Sequence, residues 1–600
     1  MLFRYLSSLW LFSWAFFIRV AITADVPVGV PGGPQYYPVT GSNSGVTSQS
    51  GSRPFRRNIL DLQKDVPAWS LYVQALASMQ KANESSQLSY FQVAGIHGRP
   101  YITWNNVNEV PGSSWRGYCT HSSVLFLNWH RPYLALFEQI LGGYAQDIAK
   151  QYPASVSSVY QDAADNLRMP YWDWASTPEM PDIINHATIQ IDTPTGTQSV
   201  SNPLLQYTFQ KFPFDPSYFP SNTVFANDRY TKRSPDTATS ESNPATANYW
   251  LANNKIMERT WSALVKSKDF NSFSTTAVSG PSLEAIHNDI HGDVGGSYGH
   301  MMALEYSAFD PIFWLHHTNV DRLFAMWQAI NPNSSMTPLS EPGTYAILRN
   351  SIDTVDTPLP PFTYNTQGNT YTSASSSNTR TFGYTYPEVE DWSQSPEQLK
   401  ANVSAQINRM YDPNGMFHKK SRSITPRPSL QDRSALIPGS TIREWSIAIE
   451  VSKFALDGDN FAVRFFLGDV PSDPKDWPRS PSCAGSVLIM PPPHIGDQPM
   501  REVILHDEIS LEKAVAKSSH DSNSVGDVVP YLKGILNWRV QKLDGTVVSN
   551  DQIPSLKVTV FDEMVTLPKD ITELPQYGSK TVHEEITNSK AGGYGRTTAN

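Results

Sequence analysis

The chain has 600 residues, more than one hydrophobic core usually serves, so at least two domains are expected. Its 46 Lys and Arg against 56 Asp and Glu give a formal charge of -10, which argues against a nucleic-acid or anionic-membrane partner. Only two cysteines, Cys119 and Cys483, are present, which excludes a disulfide framework and a cysteine zinc site.

Residues 1–24 read as a signal peptide: Arg4 precedes an apolar run over 6–18, and small residues surround Ala24. The run is shorter than the roughly 20 residues of a spanning helix, so secretion is expected rather than anchoring. Asn-X-Ser/Thr sequons at Asn83, Asn333 and Asn402 are compatible with that route. Residues 25–54, rich in Gly, Pro, Ser and Thr, read as an irregular lead-in. From Phe55 to Tyr411 the chain reads as a mainly helical domain. Apolar residues recur at three- and four-residue spacing over 68–80, 122–148 and 311–330. The long polar stretches over 178–244 and 337–378 read as surface loops. Residues 412–436, with Lys419, Lys420 and Arg422 among prolines and serines, read as an exposed linker. From 437 to 600 short β-branched and aromatic runs over 445–454, 460–468, 485–490 and 556–561 predict a β domain.

The histidines cluster. His287 and His291 stand one helical turn apart, where both imidazoles can reach one cation. His300 follows in a glycine-rich loop that aims it nowhere in particular. In FDPIFWLHHTNVDRLFAMW, Asp310 and Pro311 are suited to open a helix. Phe313, His317, Val320, Phe324 and Trp327 form one inward stripe at helical spacing, so His317 is assigned to metal and His316 to packing. His97, His121 and His130 form an earlier triplet. Imidazoles without carboxylate favour copper, zinc or a similar ion over magnesium or calcium, and two triplets favour a metal pair.

The motifs GIHGRPY, CTH, NWHRPYLALFEQ, HNDIH and DPIFWLHHTNVDRL, in this order, closely resemble those of the tyrosinase and catechol oxidase family, above all its ascomycete tyrosinases. The resemblance implies two copper ions in a four-helix bundle, with O2 as co-substrate and small phenols oxidised through o-diphenols to o-quinones. It places His97, His121 and His130 on one copper and His287, His291 and His317 on the other. It further implies a thioether between Cys119 and His121, a water-holding role for Glu284, and a part in monophenol activity for Asn288. Tyr384 and Tyr386 match a structural tyrosine motif that an N-terminal Arg, Arg56 or Arg57, would meet. The expected fold is a mainly α core followed by a smaller C-terminal β domain that covers the active site and makes the full chain a latent precursor. A processing protease cutting the linker near Lys419-Lys420 would then raise phenol turnover. A catechol oxidase acting on diphenols alone and a haemocyanin-like oxygen carrier are the alternatives; the single site favours an enzyme. Neither the blocking side chain nor the physiological phenol, whether for melanin pigment or another product, is readable.

Overall fold

Most of the long helices start where a side chain can satisfy an orphan amide at the helix entry. In the computed structural model, which describes residues 35–111, 113, 115–413, 415–417, 437–491 and 502–595, Asp65 caps α1 (Val66–Lys81) and Ser89 caps the short α2 (Tyr90–Gly95). Ser123 Oγ accepts the Leu125 amide at the entry to α3 (Phe126–Ala149). Then come α4 (Ile256–Lys266), α5 (Leu283–Gly295) and α6 (Ile312–Ile330). Ser282 caps α5, and Gly296, at φ 59°, turns the chain out of it. Pro311 opens α6 as expected, and Asp310 Oδ1 accepts the Ile312 amide at 3.1 Å. A capping box of Ser395 and Gln398 starts α7 (Pro396–Tyr411).

Helices α1, α3, α6 and α5 pack in that order of contact, around an interior dense in aromatic rings. Trp314 of α6 stacks on Phe137 of α3 with ring centroids 3.7 Å apart, which locks these two helices together. Behind them lies a buried charge cluster. Arg56 donates to Glu138 at 2.9 Å and to Asp321 at 3.2 Å, and lies 3.5 Å over the Tyr384 ring. Asp321 also accepts from Arg131, Tyr384 and Tyr386, each at 2.6 Å. Arg56 is thus the arginine that meets the tyrosine motif, while Arg57 pairs with Asp65 near the surface. The polar stretch after α3 carries a hairpin of Thr188–Thr193 and Gly196–Ser201.

The C-terminal domain is a two-sheet antiparallel β structure. Its strands are β1 (Thr441–Ser452), β2 (Phe461–Leu467), β3 (Cys483–Ile489), β4 (Ile504–Ser510), β5 (Leu536–Lys542) and β6 (Lys557–Thr566). One sheet runs β4-β1-β6 and continues into short strands; the other runs β5-β2-β3 with a short strand outside β5. Alternate residues of both sheets, among them Trp445, Ile447, Phe465, Val487, Trp538 and Val560, form one buried cluster separate from the helical one. Strands β4 and β5 were not among the expected four. From Tyr36 onward the described residues form one compact unit, so the β domain sits directly on the helices. Among the described residues no helix is long and apolar enough to cross a membrane. The expected signal peptide and residues 418–436 of the expected linker lie outside the described residues.

Candidate metal centre

Three histidines come from sites of different stiffness. His130 sits in the first turns of α3, His97 just past α2, and His121 on the loop before α3. Their ring centroids form a near-regular triangle with sides of 5.4, 5.5 and 5.7 Å. The second group is built by facing helices. His287 and His291 project from α5 and His316 and His317 from α6, so α5 and α6 supply every ligand candidate of this group. In each group the candidate ligand atoms lie within 4.8 Å of one another. The groups adjoin, with His130 stacked on His317 at 4.6 Å.

The ring nitrogens are sorted by their hydrogen bonds. Nδ1 of His97, His130 and His291 meets the carbonyls of Leu304, Phe126 and Met301 at 3.0, 2.7 and 2.7 Å. Nδ1 of His287 meets Asn288 Oδ1 at 3.0 Å. An oxygen acceptor fixes the proton on Nδ1 and leaves the Nε2 lone pair free. Nε2 of His97 and of His130 accordingly has no partner among the described residues. Nε2 of His317 lies 3.2 Å from that of His287 and 3.4 Å from that of His291. Two nitrogens bound tetrahedrally to one ion at about 2.0–2.1 Å stand about 3.3 Å apart, so this spacing fits a shared metal. His316 lies in the same cluster, stacked on His287 at 5.0 Å, and both its nitrogens are buried without a partner among the described residues. Burial pushes all these imidazoles toward the neutral, ligating form, His130 to about 3 and His291 to about 4. His300 lies apart, accepting the Lys232 amide at 3.0 Å.

Glu284 is fully buried one turn before His287. One carboxylate oxygen accepts the Ser122 amide at 2.6 Å; the other accepts the Thr276 amide at 2.9 Å and both threonine hydroxyls of Thr275 and Thr276. The glutamate thereby ties the His121 loop to the segment that precedes α5. Cys119 is a buried free thiol two residues from His121, whose own ring nitrogens have no partner among the described residues. One neighbour was invisible in the sequence. Lys453, just past β1, is only 4 % exposed and donates to Ser122 Oγ at 3.0 Å. Burial lowers its pKa while the charge of Glu284 holds it up. A lysine at a strand end gives no hint of this placement, because the contact exists only once the two domains meet.

Comparison with known proteins gives the family. Residues 87–330 match the model described as the common central domain of tyrosinase, and residues 444–560 match the tyrosinase C-terminal domain. A tyrosinase of Neurospora crassa is 31% identical over 91% of this chain and 97% of its own length. Polyphenol oxidase 2 of Agaricus bisporus is 35% identical over 72% of this chain and 78% of its own. A mushroom tyrosinase crystallised in coexisting latent and active forms superposes with a TM-score of 0.76 at 28% identity, covering 92% of this chain and 99% of that one. This chain therefore belongs to the tyrosinase family of dinuclear copper oxidoreductases, which oxidise phenols with O2.

Proposed function

We propose that His97, His121 and His130 hold one copper, that His287, His291 and His317 hold the other, and that the full chain is the latent precursor of a secreted enzyme acting on both monophenols and o-diphenols. The observation that carries this is the convergence of two adjoining histidine groups, in each of which the candidate ligand atoms lie within 4.8 Å of one another. Bound there, a copper pair supplies two electrons to O2 and the oxidising power that converts a phenol to an o-quinone. The chain's own residues prepare the site. Main-chain carbonyls hold three imidazoles in one tautomer, and the side chain of Asn288 does the same for His287. The neutral amide oxygen of Asn288 strengthens the donor character of the His287 imidazole less than a carboxylate would, so the His287 ligand stays neutral.

Glu284, buried one turn before His287, is assigned the ordering of a water that takes the phenolic proton, with the remaining lone pair of Oε1, which accepts only the Ser122 amide, as the acceptor. A thioether from Cys119 to His121 would replace the S–H and one ring C–H with an S–C bond, the two protons and two electrons passing to O2, the enzyme's own co-substrate, and would stiffen a ligand that no helix holds. The three sequon asparagines Asn83, Asn333 and Asn402 are all exposed, which suits passage through a secretory route. The domain boundaries proposed are 55–411 for the copper domain, 412–436 for the linker and 437–600 for the covering domain. A protease cutting that linker is the proposed processing partner, and the quinone products suit melanin-type pigment. Copper analysis with O2 uptake on a monophenol and a diphenol, before and after removal of the C-terminal fragment, tests the reading. Two coppers and uptake that rises on removal are expected; full uptake by a chain shown by mass spectrometry to be uncut would overturn the latent form.

A further inference from the structure

The contacts between the two domains run over α4 and α5 and also involve α7, whose Asn408 donates to the carbonyls of Ile571 and Glu573 at 2.6 and 2.7 Å. Arg259 of α4, 8 % exposed, bridges Asp289 of α5 and Asp507 of β4. Lys266, at the other end of α4, meets Glu563 of β6 at 3.2 Å and lies 4.7 Å from the Tyr577 ring centroid. Beside the Arg259 pair one apolar side chain approaches the helix closely. A Cβ on Gly292 of α5 would stand 2.3 Å from Leu488 Cδ2, so Leu488 of β3 rests on bare helix backbone next to His291. The edge strand β4 is capped by the core as well, its His506 amide donating to the Thr276 carbonyl at 2.7 Å. An edge strand left bare is a liability, and this one is covered only in the docked state.

We propose that cutting the linker does not open the site: residues 437–595 remain docked on α4 and α5 as a noncovalent inhibitory subunit, and phenol turnover begins only when that subunit dissociates. The inference rests on the latent-precursor reading and names its partner, the chain's own C-terminal fragment. Three observations support it. Each domain has its own hydrophobic cluster, so a cut between them unfolds neither. The buried charges of Arg259, Asp289 and Asp507 satisfy one another across the interface, and separating them strands charges that the docked state pairs. None of these contacts involves residues of the linker. Within the docked state Lys453 is the closing element, since its ammonium occupies the hydroxyl of Ser122 beside His121.

The test uses the copper-loaded full chain cut between 418 and 436, with size-exclusion chromatography and monophenol turnover read together. Both fragments are expected in one peak at low ionic strength, with turnover within about twofold of the uncut chain. Leu488→Asp lies on the β-domain side, outside its hydrophobic cluster, and leaves the copper domain unchanged. It is expected to separate the cut fragments and raise turnover at least about tenfold. Lys453→Met is expected to keep the single peak while raising turnover of the docked complex. Separation of the wild-type fragments on cutting alone would overturn the proposal, and Lys453→Met turnover equal to wild type would overturn the role of Lys453. Uncut wild type as fast as the separated copper domain would instead refute latency, leaving the docking itself to be judged by co-elution.

Discussion

His316 and His317 are adjacent on α6, yet only His317 has its Nε2 at metal-sharing distances from both His287 and His291. Replacing His317 by Ala should therefore remove copper and abolish phenol oxidation, whereas His316→Ala should retain the metal; atomic absorption on the two variants decides between them. The opposite outcome would reverse the assignment. Asn288→Ala removes the acceptor that fixes the His287 tautomer, and a loss of about tenfold in copper affinity is expected from such orienting contacts. Glu284→Gln should lower monophenol oxidation more than diphenol oxidation, because the diphenol parts with its proton more readily. Equal losses in kcat on both substrates would assign Glu284 to loop anchoring through Ser122 and Thr276 alone. Helical spacing made His287 and His291 legible as a pair and the apolar stripe singled out His317, whereas the division of His97, His121 and His130 from them into a second ligand set came from the family resemblance. The environment of Glu284 was not legible, since its partners Ser122, Thr275 and Thr276 lie on other segments that no local pattern connects to it.

Between helices, Asp321 of α6 binds together Arg56, Arg131 of α3 and the two tyrosines of the loop before α7. Asp321→Asn leaves two buried guanidiniums short of a counter-charge, and a loss of about 3–5 kcal/mol in denaturant unfolding is expected. Sequence alone could not choose between Arg56 and Arg57. The bridges of Phe55 with Thr385 and Asn58 with Tyr171 hold this segment extended, so the side chains alternate and Arg56 turns inward. A second buried group sits in the loop after α6. Asp353 is 1 % exposed beside Glu341 and Ser123, and burial together with the Glu341 carboxylate pushes its pKa up to about 10. Because the folded state keeps this proton while the unfolded chain loses it near 4, stability is present at low pH and falls as pH rises from about 4 towards 10. Asp353→Asn should flatten that dependence; thermal unfolding between pH 5 and pH 9 would show unchanged slope if the carboxyl carried no such proton. Strands β4 and β5 escaped the sequence reading for a related reason. Asp507 and Glu508 break the apolar alternation of β4, and Asp507 is buried only because Arg259 of the copper domain meets it.

At the scale of the whole molecule, two separately cored domains meet on the outer faces of α4 and α5, while the inner face of α5 carries His287 and His291. The division into a helical core and a β domain was legible from periodicity, since each half follows its own repeat. That the β domain covers the core was expected from the family resemblance alone, and the contacts that dock it were not legible, because they depend on charges and on a glycine that meet only across the interface. The claim on which everything else stands is that the two histidine groups bind a copper pair. Copper bound per chain, measured on the purified protein and on His97→Ala and His291→Ala, tests it most directly. The account predicts two coppers in the wild type, fewer than two in each variant and no O2-dependent phenol oxidation by either. Two coppers retained in both variants, or a single copper in a wild type that still oxidises phenols, would contradict it.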